Sequence, residues 1–261
     1  MSKRQINNSR VIVTGASSGI GRALAVELAA DGARVVIVAR REDRLEELAE
    51  QIKADGGTVE IVAGDITDED LRRRAIEKAQ SSFGGLDALI NNAGVGAMGL
   101  FEDADPKRVR EIMEVNFFSL VEMTRLALPL LKQGEKPIIV NISSILGHRG
   151  VPHNSEYAAS KFAVAGFSES IRAELAAQGI DVLVVSPGTT ATEFFDQVVQ
   201  KTSEPSWPEH AAVTAEDVAR ATVKAMRRGK HQIIPYRWGK LLCWINRLSP
   251  RLVDSLMERY V

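Results

Sequence analysis

The sequence predicts an α/β protein: one doubly wound parallel sheet of about seven strands, flanked by helices and followed by a C-terminal helical extension. Three observations point there. First, short apolar runs recur at residues 11–13, 35–38, 59–62, 86–90, 138–142, 182–185 and 233–234, and the longer ones are nearly continuous rather than alternating. Continuous apolar runs mark strands covered on both faces. Second, the segments between them show helical spacing, as with Ile20, Leu24 and Leu28, or Leu45, Leu48 and Ile52. Third, polar punctuation sits just after the strands, at residues 14–21, 39–41, 65, 91–94, 143–144 and 186–192. In an open parallel sheet those positions share the carboxyl edge, where ligands bind.

Helix starts are marked as well. Thr67 with Asp70, and Thr214 with Asp217, fit the capping pattern, and Pro106 suits the first turn of a helix after Asp105. No linker, repeat or low-complexity segment divides the chain, so residues 1–261 read as one domain. Lys plus Arg is 33 against 34 for Asp plus Glu, a balance that argues against nucleic acid as a partner. The single cysteine, Cys243, excludes an internal disulfide, and no metal site is expected. The polar start and the lack of a membrane-spanning apolar stretch point to a cytoplasmic protein.

The first strand runs into Thr14-Gly15-Ala16-Ser17-Ser18-Gly19-Ile20-Gly21, followed by a helix. Glycines permit positive φ and a close approach of phosphate to backbone, and the helix start offers free N–H groups. The strand–loop–helix context makes this a dinucleotide loop rather than a plain turn. The Gly-Lys-Ser/Thr of a nucleotide-hydrolysing loop is missing, which disfavours ATP or GTP. The second strand ends Ala39-Arg40-Arg41, without the acidic residue that would bind the ribose hydroxyls of NAD. Guanidinium suits a 2′-phosphate, so NADP(H) is the expected cofactor, with NAD(H) as the alternative. Asp65, with Ile66 beside it, stands where it could accept from the adenine amino group or simply approach the next helix.

Tyr157 and Lys161 are four apart in a segment whose apolar stripe is Val164, Phe167, Ile171 and Leu175, which puts them on one helix face. A nearby ammonium favours the phenolate, and such a tyrosine can give and take a proton in carbonyl chemistry. Asn116 falls on the stripe of Val109, Ile112, Met113 and Leu120. It is either a satisfied structural amide or part of a site.

The glycine loop, Asn91-Asn92-Ala93-Gly94, Asn116, Ser144, Tyr157 with Lys161, and Pro187-Gly188 together resemble the short-chain dehydrogenase/reductase family, classical subgroup, with the familiar Rossmann-type sheet. Ser144 lies 13 residues before Tyr157, and the resemblance covers roughly residues 10 to 192. It implies an enzyme transferring hydride between NADP(H) and a small-molecule ketone or aldehyde and its alcohol. Tyr157 would be the acid and base, and Lys161 would depress its pKa and bind the nicotinamide ribose. Ser144 would polarise the substrate oxygen, and Asn116 would hold a water. Gly15, Ser17, Ser18, Gly19, Ile20, Gly21, Arg40, Arg41, Asp65, Ile66, Asn92, Ala93, Gly94, Pro187, Gly188 and Thr192 would contact the cofactor. The family also suggests a homo-oligomer, a dimer or tetramer. The rival readings are a dinucleotide-binding regulator with vestigial chemistry, and an epimerase or dehydratase on the same scaffold.

Residues 193–213 should cover the substrate, with Phe194, Phe195 and Trp207 as a wall or as packing. His148 and His153 read as loop residues rather than catalysts. The tail 238–261 is strongly apolar with basic residues between, broken by Pro250. It packs over the cleft, forms a subunit interface or rests on a membrane surface; amphipathic helices most often pack on protein, which favours the first two.

Overall fold

The structure, a computed structural model, describes residues 4–191, 193–195, 198–201 and 212–260. Its sheet has seven parallel strands in the order β3-β2-β1-β4-β5-β6-β9. They are β1 (Arg10–Thr14), β2 (Arg34–Ala39), β3 (Thr58–Ala63), β4 (Ala88–Asn91), β5 (Ile138–Ile142), β6 (Asp181–Val185) and β9 (Gln232–Ile233). A separate two-stranded pair, β7 (Thr190–Ala191) and β8 (Val213–Thr214), lies beyond the carboxyl edge of β6. Each apolar run of the sequence supplies one strand of the large sheet. The strand order reverses between β1 and β4, which opens a crevice at their carboxyl ends.

The helices are α1 (Gly19–Ala30), α2 (Glu42–Ala54), α3 (Glu69–Phe83), α4 (Arg108–Met113), α5 (Ser119–Leu131), α6 (Ser155–Ala176), α7 (Ala215–Arg227), α8 (Arg237–Leu248) and α9 (Pro250–Met257). Two cores form, one on each face of the sheet. Val11, Val13, Val35 and Ile37 point to the face covered by α1, α2 and α7, while Ile12, Val36 and Val38 point to that of α3, α5 and α6. Strand side chains alternate between faces, so a run of consecutive valines and isoleucines feeds both cores at once.

Three local details depart from the sequence reading. β4 begins two residues late because Asp87 is a hub: its carboxylate accepts from Arg10 N, Nε and Nη2 at 2.9, 2.8 and 2.6 Å and from Glu135 N at 2.7 Å. The cap of α3 is Asp68, which accepts from Asp70 N at 3.0 Å. Thr67 is taken instead by Asp65, whose Oδ1 accepts both its N–H and its hydroxyl at 2.9 Å. Pro106 lies in the turn before α4, where Asp105 accepts from Lys107 N at 2.8 Å. At the other marked start, Thr214 caps α7 by accepting from Asp217 N at 3.1 Å, as its spacing predicts.

Candidate active site

The phosphate loop is shaped from beneath. Gly15 and Gly19 have φ of +66° and +54°, which a side chain would strain. Asn92 Nδ2 donates to the carbonyls of Thr14 and Gly15 at 3.0 and 3.1 Å, and Thr14 Oγ1 accepts from Asn92 N and Ala93 N. Ser18 caps α1 in extended geometry without a side-chain bond to the first turn, and that turn holds no acidic residue. The opening N–H groups of α1 are therefore left to an anion. Gly21 has a different task from the one its motif suggests. A Cβ there would lie 2.2 Å from Gly15 O, so it lets α1 close on β1 rather than facing the cavity.

A cavity of about 1120 Å³ runs along the carboxyl edge. Gly15, Ser17, Ser18, Gly19, Ile20, Arg40, Arg41, Asp65, Ile66, Asn92, Ala93, Gly94, Ser144, Tyr157, Lys161, Pro187 and Gly188 all line it. Thr192 and Trp207 lie outside the described residues. Arg41 grips the loop: Nε and Nη2 donate to Ser17 Oγ at 3.3 and 3.2 Å, and Nη1 reaches Glu193 at 3.1 Å. Asp65 spends one oxygen on Thr67 while still facing the cavity.

The catalytic candidates that line the cavity come from two elements, the end of β5 and α6. Ser144 leaves the end of β5, where its Oγ accepts from Leu146 N at 3.1 Å and stands close enough to the Tyr157 phenol to pull its pKa down. The neighbouring Ser143 is occupied, donating to Lys161 O at 3.1 Å, which leaves Ser144 as the serine that serves Tyr157. Lys161 is buried, and its Nζ donates to Ile142 O at 3.0 Å while lying 5.6 Å from the centre of the Tyr157 ring. Burial pushes the phenol up to about 12, with Ser144 pulling the other way. The same cause brings Lys161 down to about 8. Spacing alone suggested that Lys161 would lower the phenol. In this protein desolvation dominates both groups, and the ammonium is aimed at a carbonyl rather than at the phenol oxygen.

Asn116 does not line the cavity. It sits in a π-helical turn, Glu114–Phe118, that joins α4 to α5. Its Oδ1 accepts from Val95 N at 2.8 Å, and its Nδ2 donates to Val95 O and Ser160 Oγ, both at 2.9 Å. Gly94 is wedged between Asn116 and Lys161; a Cβ on it would stand 3.2 Å from Asn116 Oδ1 and 3.6 Å from Lys161 Nζ. Asn116 is thus a positioning residue behind the wall. Asn91 plays a similar part deeper down, donating to Thr124 and Asn141 across β4 and β5. His148 also stays structural: its Nε2 pairs with Ser186 Oγ at 2.9 Å, and burial lowers its pKa.

The far half of the cavity is apolar and comes largely from the extension. Tyr236, Trp238, Leu241, Leu242, Ile245, Leu256 and Met257 face Val95, Met98, Val151 and Phe194 across it. The extension therefore covers the domain's own cleft, one of the three readings its sequence left open. Phe194 packs on Tyr157 with ring centres 5.5 Å apart, so it is a wall of the site. Gly188 admits the Tyr236 ring, since a Cβ would fall 2.1 Å from Tyr236 Cδ1. Neither Tyr236 nor the valines and Met98 carried a motif; only their burial around one hollow reveals them.

Comparison with known proteins agrees with this geometry. The family model described as short chain dehydrogenase matches residues 9–203. A protein named 11-beta-hydroxysteroid dehydrogenase-like 4A, from Arabidopsis thaliana, is 36% identical over 260 residues, covering 98% of this chain and 85% of its own. A short chain dehydrogenase from Burkholderia cenocepacia, solved with NADP, superposes with a TM-score of 0.77 at 29% identity, over 88% of this chain and 97% of that one. A Burkholderia phymatum short chain dehydrogenase/reductase, solved with NAD, gives a TM-score of 0.87 over 95% and 96% of the two chains; at 23% identity it speaks for the fold alone. The chain belongs to the short-chain dehydrogenase/reductase family.

Proposed function

We propose that the protein is an NADP(H)-dependent oxidoreductase that interconverts a lipophilic ketone or aldehyde and its alcohol. One observation carries this: Ser144, Tyr157 and Lys161 meet in the wall of a cavity that also takes in the uncapped start of α1. A nicotinamide dinucleotide fits the residues present, with the glycine loop for its phosphates and Arg40 and Arg41 for a 2′-phosphate. When bound it supplies or takes the hydride. Tyr157 gives its phenolic proton to the carbonyl oxygen during reduction and takes it back during oxidation. Ser144 holds that oxygen by a hydrogen bond as negative charge develops on it. Lys161 provides the positive charge that favours the phenolate once it is formed. The apolar half of the cavity selects an uncharged, lipophilic carbonyl, and the hydroxysteroid dehydrogenase-like relatives are consistent with that choice.

The test follows NADPH and NADH absorbance across a panel of apolar ketones and aldehydes, alongside Tyr157→Phe. We expect NADPH oxidation with a lower KM than NADH, and a loss of about 10²–10⁴-fold in the variant, the worth of a positioned general acid. Dinucleotide binding without turnover on any substrate would identify a regulator, and product rearrangement without net cofactor change would identify an epimerase or dehydratase.

A further inference from the structure

The outer face of the C-terminal extension is exposed to solvent. α8 and α9 turn Leu242, Ile245 and Met257 into the cleft, yet Trp238, Trp244 and Leu248 stay 62, 61 and 78% exposed. Leu241, Leu252 and Leu256 are exposed with them, making six of the eleven exposed large apolar side chains among the described residues. Single exposed leucines are ordinary; a strip of six on two adjoining helices is not. Around the strip stand five exposed basic residues, Arg237, Lys240, Arg247, Arg251 and Arg259, against two acidic ones, of which Asp254 is held by Arg149 at 2.6 Å. The whole chain has a net charge of −1, so positive charge is concentrated here.

We infer that this face rests on an anionic lipid surface. Tryptophan and leucine set within a cationic rim are the chemistry of a shallow interfacial helix, with the indoles at headgroup depth. A second copy is the poorer occupant, because a two-fold contact would set the same cationic rim against itself. Among the described residues no helix is long and apolar enough to cross a membrane, so the attachment is lateral. Trp238, Leu241 and Leu256 belong both to the strip and to the cavity lining, so the cleft opens towards the lipid. A lipophilic molecule dissolved in the acyl layer enters there without crossing water. The docking itself stands independently of the reaction proposed above.

The test is co-sedimentation of the full chain with phosphatidylcholine vesicles, with and without phosphatidylserine. Two double variants avoid the cavity lining: Leu248→Glu with Leu252→Glu, and Arg247→Glu with Arg251→Glu. The wild type is expected to pellet with the phosphatidylserine vesicles and less with phosphatidylcholine alone. The leucine pair should weaken that partition by roughly tenfold or more, and the arginine pair should erase the preference for phosphatidylserine. Unchanged melting temperatures establish that both variants are folded. A wild type that stays in solution with both vesicles overturns the inference, as does a leucine variant that pellets like the wild type. So does sedimentation velocity showing a wild-type dimer that the leucine variant splits without lipid, since a second copy then covers the face.

Discussion

Tyr157 and Lys161 are displaced in opposite senses by one cause. Burial withholds water from both charged forms, so the phenol is driven up to about 12 and the ammonium down to about 8. The folded state therefore binds the Lys161 proton more weakly than the unfolded chain does. Its contribution to stability rises as pH climbs from about 8 towards the ordinary lysine range. With lysines carrying a ¹³C-methyl label, the resonance absent from Lys161→Ala should titrate near 8, and a midpoint in the ordinary range would show that the site is wet. The pairing of these two residues was legible in the sequence because a four-residue step on a helix is geometry. The direction of their shifts was not, since it depends on what surrounds them. Ser144 over Ser143 came from the family resemblance, in which it stands 13 residues before Tyr157; the structure adds that the Ser143 hydroxyl is taken up by the Lys161 carbonyl.

Among the elements, α4 and α6 are bolted together by a pair that the sequence did not announce. Arg108 is 1% exposed, and its Nε and Nη2 donate to Glu156 Oε1 at 3.0 and 2.7 Å, one residue before Tyr157. Its Nη1 donates to Gln200 Oε1 at 3.4 Å, tying the segment after β7 to the same point. Two charges 48 residues apart look like solvated surface in a sequence. Burial opposes the Glu156 charge, but the Ser155 hydroxyl and Arg108 outweigh it and hold the carboxyl below its ordinary range. The stabilisation is therefore complete at neutral pH and lost as pH falls through that lowered value. Glu156→Gln should cost about 3 kcal/mol at neutral pH, leaving Arg108 buried without its counter-charge. Thermal melts should show the gap to wild type narrowing in acid. A gap that is constant with pH would mean that the pair contributes nothing through charge. The π-helical turn at Asn116 was equally hidden, because its residues keep an apolar spacing close to that of an ordinary helix.

Across the whole molecule, the seven apolar runs announced the sheet because a strand buried on both faces cannot afford polar residues. The short β7–β8 pair and the destination of the extension were not legible, since Thr190–Ala191 and Val213–Thr214 form no apolar run and an amphipathic helix does not name what it covers. The position of a residue in this architecture sets its worth. Leu89, at the centre of β4, is fully buried, whereas Val109 on α4 is 39% exposed despite sharing the apolar stripe. Leu89→Ala should cost about 2–5 kcal/mol, and Val109→Ala should stay within about 0.5 kcal/mol. Equal losses in calorimetric melts would contradict the two-core arrangement.

The grip of Arg41 has a consequence for how the cleft is governed. One side chain holds Ser17 on the phosphate loop and Glu193 in the segment after β7. An anion that draws the guanidinium away from Glu193 loosens that segment, and by reciprocity whatever secures it weakens the hold on the anion by the same factor. Both partners are partly exposed, so the linkage is worth no more than about 1 kcal/mol, a few-fold in either affinity. One guanidinium thus couples the phosphate loop to the segment that follows β7.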